Sequence, residues 1–192
     1  VFSRVVLSAR ISLTVGLVAV GIALVVGVAL GLVAGFFGGW PDTVIMRSAD
    51  VLFAFPILLL AMAIVAVLGP GLTTAMIAIG VVYTPIFARI TRASTLAVRE
   101  ELYVKASQAV GASDGLILRR HVLPNIMGPI TVQTSLSLAF AILSEAALSF
   151  LGLGVQPPTP SWGAMIAEGR DLSQLRNSPW TSLFPGLAIG AA

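Results

Sequence analysis

Residues 11–41 read ISLTVGLVAVGIALVVGVALGLVAGFFGGWP, a run in which no side chain is charged. About 20 apolar residues in helical form cross the roughly 30 Å of bilayer hydrocarbon, so this run is read as a membrane-crossing helix. It is longer than the ~7–15-residue apolar region of a cleaved signal, and is therefore a permanent span. The rest of the chain agrees. Of 192 residues, 57% are hydrophobic and 10% charged, with a mean hydropathy of +1.01, where soluble domains carry about a quarter charged residues. That much apolar surface cannot hide inside one water-facing globule, so much of it faces lipid.

Cysteine is absent, which excludes disulfide frameworks, thiolate metal sites and cysteine nucleophiles. The net charge of +3 is small and its basic residues are clustered, a pattern of membrane topology rather than of nucleic-acid binding. The chain begins at Val1 and stops within an apolar run at Ala192. A single transmembrane domain over residues 1–192, cut from a longer protein at both ends, is the expectation.

A second uncharged run, 51–88, is too long for one ordinary crossing, and Gly69-Pro70-Gly71 divides it, since proline between glycines favours a turn. Helix two is expected from about Thr43 to Leu68, with a kink at Pro56, and helix three from Leu72 into the nineties. A polar segment holding Arg89, Arg92, Arg99, Glu100, Glu101, Lys105, Asp114, Arg119 and Arg120 follows. A fourth span is expected over Asn125–Phe150, then a Gly- and Pro-rich loop over 151–180 with a short helix near Gly163–Arg170. A fifth apolar run opens near Trp180. The fold class is thus an all-α polytopic bundle of about five spans.

Six of the eleven basic residues lie between Arg89 and Arg120, which places that segment in the cytoplasm and the 69–71 turn and Pro-rich loop outside. Arg4 and Arg10 do not fit this orientation. Small residues recur every fourth position at Ala19, Ala23, Gly27, Gly31 and Gly35. The row lets another helix approach closely, either as the wall of a pathway or as ordinary bundle packing.

Residues 101–125, ELYVKASQAVGASDGLILRRHVLPN, read as helix, break, helix. Gly111 suits a left-handed cap, Ser113 can cap a second helix that carries Asp114 in its first turn, and Pro124 ends that helix or opens the next span. Such an elbow is either a plug for a groove in a cytoplasmic partner or an amphipathic segment lying on lipid. Periodicity alone leaves both open.

The stretch resembles the cytoplasmic EAA loop of binding-protein-dependent ABC importer permeases. Lys105, Ala106 and Ser107 stand at its first three positions, Gly111 at its glycine, His121 at its apolar position, and Leu123-Pro124 at its end. Lys for Glu and Ser for the second Ala are departures. Gly38-Gly39-Trp40-Pro41-Asp42, Leu68-Gly69-Pro70-Gly71-Leu72, Arg120 to Asn125, and LSFLGLGVQPPTPSWG at 148–163 are similar to the second permease of dipeptide and oligopeptide importers, over nearly the whole chain.

The resemblance implies a type I importer permease of a bacterial or archaeal cytoplasmic (inner) membrane. It implies pairing with a second, similar permease, two ATPase subunits beneath and an external solute-binding protein above. The coupling loop, 99–124, would hold Tyr103, Lys105, Ala106, Ser107, Gly111, Ala112, Ser113, Asp114, His121, Leu123 and Pro124. Relatives of similar appearance carry nickel chelates or glutathione. No cofactor of its own is implied, and ATP would be bound by the partners, since the chain has no GxxxxGK[ST] loop.

Other candidates are few. Glu145 falls near the outer end of helix four, where it is read either as touching the path or partner permease or as a structural hydrogen bond or interfacial exposure. Arg47 and Asp50, three apart, are expected to pair. His121 is the sole histidine, without partners for catalysis or metal binding, and is read as packing. No Gly-x-Ser-x-Gly elbow is present, which disfavours a hydrolase. A channel or secondary transporter would want ionisable residues or broken helices at mid-membrane, and a silent assembly subunit would leave the EAA-like loop without purpose.

Overall fold

A computed structural model describes residues 2–169 and 178–191, and all regular structure among them is helical. The first helix, α1 (Phe2–Phe37), starts ahead of the uncharged run and takes Arg4 and Arg10 into its first turns. It stops at Gly38, whose φ of 67° lies in the left-handed region that favours glycine. Next comes α2 (Gly39–Phe53), with Pro41 in its first turn, where a missing N–H costs nothing.

The single helix expected over Thr43–Leu68 is two. The chain leaves α2 at Ala54 and re-enters helix as α3 (Ile57–Leu68). Pro56 adopts φ −56° and ψ 132°. It lacks the N–H to continue α2 and disfavours helical geometry at Phe55, so it breaks the helix rather than kinking it. Gly69 ends α3 at φ 91°, and α4 runs from Leu72 to Arg99, as the Gly-Pro-Gly signal required.

Beyond α4 come α5 (Leu102–Ala109) and α6 (Asp114–Ile117), then a π-helical turn at Leu118–Val122 that leads without a break into α7 (Leu123–Phe150). Pro124 therefore sits in the first turn of α7 and ends nothing. The wide turn just before it is one of the local adjustments by which a helix absorbs a proline. Last are α8 (Trp162–Glu168) and α9 (Trp180–Ala191). Arg170, where the expected loop helix was to end, lies outside the described residues. Among the described residues three helical runs, Ser3–Phe37, Leu72–Arg99 and Asp114–Phe150, are long and apolar enough to cross a membrane, and α2 with α3 makes a fourth if the broken pair counts as one. The described 12 residues of α9 fall short of a crossing.

The chain divides into two compact units. The first comprises 1–21, 56–82 and 137–192. Here α8 is laid tightly on α1 and α7. Trp162 Nε1 donates to the Val5 carbonyl at 3.0 Å, and a Cβ on Gly163 would stand 2.0 Å from the Ala146 oxygen. α9 packs on α8.

The second unit comprises 22–55 and 83–136. Its seam is the small-residue row of α1 pressed on α4. A Cβ on Gly27 would meet Phe87 Cβ at 2.5 Å, one on Gly31 the Ala88 oxygen at 2.5 Å, and one on Gly35 Thr95 Cβ at 2.7 Å. Of the two readings of that row, helix packing within the chain is the one observed for these glycines. Thr91 and Thr95, buried on the α4 side, make no hydrogen bond through their hydroxyls.

Candidate functional site

The elbow between α4 and α7 is built on a core of its own. Phe36, Val104, Ile117, Val122, Ile126 and Ile130 are buried together, and Val98, Ala112 and Leu123 pack around them. One apolar residue from each short element, Val104 of α5 and Ile117 of α6, is fully buried there. Burying such side chains is worth roughly 1.5–3 kcal/mol each, enough to hold short helices that would not form alone.

The break after α5 is a complete left-handed C-terminal cap. Val110 is the capping residue, Gly111 follows at φ 80°, and Ala112 N–H donates to the Ser107 carbonyl at 3.1 Å while Gly111 N–H donates to the Gln108 carbonyl at 3.0 Å. The carbonyls left open at the helix end are thereby paired. Ser113 occupies the cap position of α6 with an extended backbone, but its side chain makes no capping bond. The expected position holds and the expected hydroxyl contact does not; its carbonyl accepts from Leu116 and Ile117 instead.

Three of the motif residues converge. Ser107 Oγ donates to the Tyr103 carbonyl at 2.9 Å and lies 3.3 Å from His121 Nε2. The Tyr103 and His121 rings are 6.0 Å apart. His121, itself in the π-helical turn, thus lies against α5, and Asn125 Nδ2 donates to its carbonyl at 2.6 Å. Lys105, which stands where the EAA pattern has glutamate, bridges to Glu100 at 2.8 Å. Its ammonium, by hydrogen bond and charge, holds the Glu100 carboxyl below the usual carboxylate range.

Tyr103, Lys105, Ala106, Gly111, Ser113, Asp114 and Pro124 are exposed. Sequence reasoning missed the apolar residues beside them, Leu102 and Val110, which are 83% and 84% exposed. The signal was available: two large apolar side chains flank a helix whose inward position is already taken by Val104. The elbow is thus fixed from behind and presents exposed apolar side chains at its tip.

Charges at the ends of the long helices are paired more tightly than spacing indicated. Arg92 forms a bidentate pair with Asp42, its Nη2 at 2.6 Å from Oδ2. Asp50 is bonded to Arg89, and Arg47 stands further off at 4.0 Å. The expected i,i+3 pair is therefore the weaker of the two contacts. Arg89 also lies over the Phe53 ring, 4.2 Å from its centroid.

Glu145 belongs to the first unit and is fully buried. Ser12 Oγ donates to its Oε2 at 2.9 Å and Ser149 Oγ to its Oε1 at 2.7 Å. Interfacial exposure is thus ruled out among the readings left open, and hydrogen bonding is observed. Among the described residues no cluster of His, Cys, Asp and Glu could hold a metal ion.

The family described as the binding-protein-dependent transport system inner membrane component matches residues 27–192. The chain belongs to this family. It is 49% identical over 98% of its length to a dipeptide transport system permease protein, DppC, of Alkalihalophilus pseudofirmus, and 44% and 47% identical to glutathione transport system permease proteins, GsiD, of Pectobacterium atrosepticum and Escherichia coli. It spans 62% of the length of each. Chains in two inward-facing crystal forms of the MetNI methionine ABC transporter share its fold. Their TM-scores are 0.71 and 0.73 at 17% and 16% identity, over 98% and 99% of this chain and 92% and 93% of theirs. The all-α importer-permease fold and a multi-pass inner-membrane location follow.

Proposed function

We propose that this chain is the core of a transmembrane permease subunit of an ATP-binding cassette importer for small peptides, and that the elbow at 99–124 is its coupling handle. The relatives named for dipeptide and glutathione transport favour a peptide cargo, glutathione being itself a peptide. The observation that carries the coupling role is the anchored elbow: Val104 and Ile117 are locked in a core while Leu102, Tyr103 and Val110 face outward.

On this reading the elbow faces the cytosol and α5 enters a groove in an ATPase subunit, which supplies the hydrolysis that this chain does not. A second permease lines the path with it, and a solute-binding protein delivers cargo to the loop around α8. Closure of the ATPases pushes α5, and a cap as rigid as that at Gly111 passes the push into α4 and α7 as a displacement. A side chain on Gly111 would oppose its positive φ and loosen the link.

The experiment is purification of the full-length protein, expressed with its operon, in mild detergent. An ATPase should travel with it, and Leu102→Glu with Val110→Glu should release that ATPase while the permease stays in the membrane. An ATPase that never accompanies the wild type contradicts the proposal.

A further inference from the structure

Besides its two stalks, α4 and α7, the elbow has a third attachment. It is the end of α1, where one residue is held twice. The Phe36 side chain is buried in the elbow core with Val104, Ile117 and Val122, and the Phe36 carbonyl accepts from Arg99 Nη1 at 2.8 Å. Arg99 is the last residue of α4, and Val104 lies in the first turn of α5. Phe36 is thereby gripped by a residue before the α4–α5 corner and by one after it. The neighbouring Phe37 is half exposed, so burial at the end of α1 is particular to the residue that the elbow holds.

The polar half of this grip has a clear physical cause. The last carbonyls of a helix have no donor within it, and the negative end of the helix dipole favours a cation. Gly38 N–H still serves the Ala34 carbonyl at 3.1 Å, and Gly38 then leaves the helix at φ 67°. A Cβ at Gly38 would stand 3.7 Å from Arg99 Nη1, so the guanidinium lies over this turn. A guanidinium aims its N–H groups in fixed geometry and makes a charge-assisted bond, roughly twice as strong as a neutral one.

Earlier in α1 the row at Gly27, Gly31 and Gly35 leaves no space for a side chain between α1 and α4. Close-packed segments of this kind transmit a displacement rather than absorb it. What moves Phe36 therefore moves this stretch of α1.

We infer that Phe36 and Arg99 are positioning residues for coupling: they fasten α1 to the elbow, so that a push on α5 reaches α1 as well as α4 and α7. The inference rests on the coupling reading above and adds a third helix to it. Neither residue belongs to the face offered to the ATPase, which is made by Leu102, Tyr103 and Val110. The cap at Gly111 governs the joint between α5 and α6, and this contact governs the joint between α4 and α5.

The test uses the full-length permease complex, with its ATPases and binding protein, in proteoliposomes. The quantity read is ATP hydrolysed per molecule imported, the probe being whichever of labelled dialanine and labelled glutathione the wild type takes up. Arg99→Ala should raise this ratio about fivefold while the ATPase still co-purifies. Arg99→Lys, which can still donate to one carbonyl, should stay within about twofold of wild type. Asp42→Asn weakens a different contact of α4 and measures simple loosening; it should also leave the ratio within about twofold. An unchanged ratio in Arg99→Ala, or loss of the ATPase from it, overturns the inference. So does a rise of similar size in Arg99→Lys or Asp42→Asn, which would mark the bond as one more contact that stabilises the fold. If Arg99→Ala does not assemble, Phe36→Leu, which vacates part of the elbow core, decides by the same ratio and the same expected rise. A wild type that carries no ATPase removes the coupling reading itself, a failure distinct from an unchanged ratio in a complex that works.

Discussion

Glu145 in the first unit and Asp42 in the second are both carboxylates on helices of an apolar chain, yet they are satisfied in opposite ways. Asp42, near a helix start and partly open at 19% side-chain exposure, takes the bidentate guanidinium of Arg92. Glu145 is closed off entirely and takes neutral hydroxyls. In the first unit buried hydrogen bonds join distant segments, beside a half-exposed Arg4–Glu168 bridge and the close approach of Gly163 to Ala146, and in the second close contact along the α1–α4 seam is joined by ion pairs at more open positions. A charge that water can reach is held at modest cost by an opposite charge, whereas a buried carboxyl is costly unless its oxygens are hydrogen-bonded, as they are by the two serines here.

The sharpest way to break the second unit is to fill its seam. Gly31→Leu places side-chain atoms where Ala88 and Thr91 already stand. Overpacking of this kind should destabilise by roughly 3 kcal/mol or more, seen as loss of the monodisperse peak in detergent chromatography. Next is Gly111→Val, which forces a β-branched residue to φ 80°. A local cost of about 1–2 kcal/mol is expected, with little change in membrane content and an uptake loss of about tenfold, read as ATP hydrolysed per peptide imported.

Asp42→Asn removes one charge of the bidentate pair and should lower stability by about 1 kcal/mol, through loss of a partly screened ion pair, measurable as a small fall in unfolding temperature. The smallest effect belongs to Arg4→Ala. Its bridge to Glu168, 3.2 Å long with both side chains about half exposed, should contribute under about 0.5 kcal/mol. If Arg4→Ala proved as damaging as Gly31→Leu, the division between the units drawn above would be wrong.

Most of the second unit was legible in the chain because its determinants are local or periodic. The four-residue row at Gly27, Gly31 and Gly35, the break at Gly38 and the cap at Gly111 each announce themselves within one or two helical turns. The partners of Asp42 and Asp50 did not, since Arg92 and Arg89 come from another helix, 50 and 39 residues away. The first unit was harder still. Ser12 and Glu145 are 133 residues apart, and a serine in an apolar helix looks the same whether it returns its proton to the preceding turn, as Ser8 does to the Arg4 carbonyl, or spends it on a carboxylate. Pro56 is a local signal of more than a kink: it lacks the N–H to continue α2 and disfavours helix at Phe55, and the helix breaks there.

The 192 residues contain no cysteine, so a thiol placed at exposed Val110 in the full-length permease, freed of any cysteine elsewhere, reports where the α5 tip lies. A membrane-impermeant maleimide should leave Val110→Cys unmodified in intact cells, label it once the membrane is opened, and be blocked from it when the ATPase is bound. Full labelling in intact cells would put the elbow on the wrong side of the membrane for any cytosolic motor and would contradict the account.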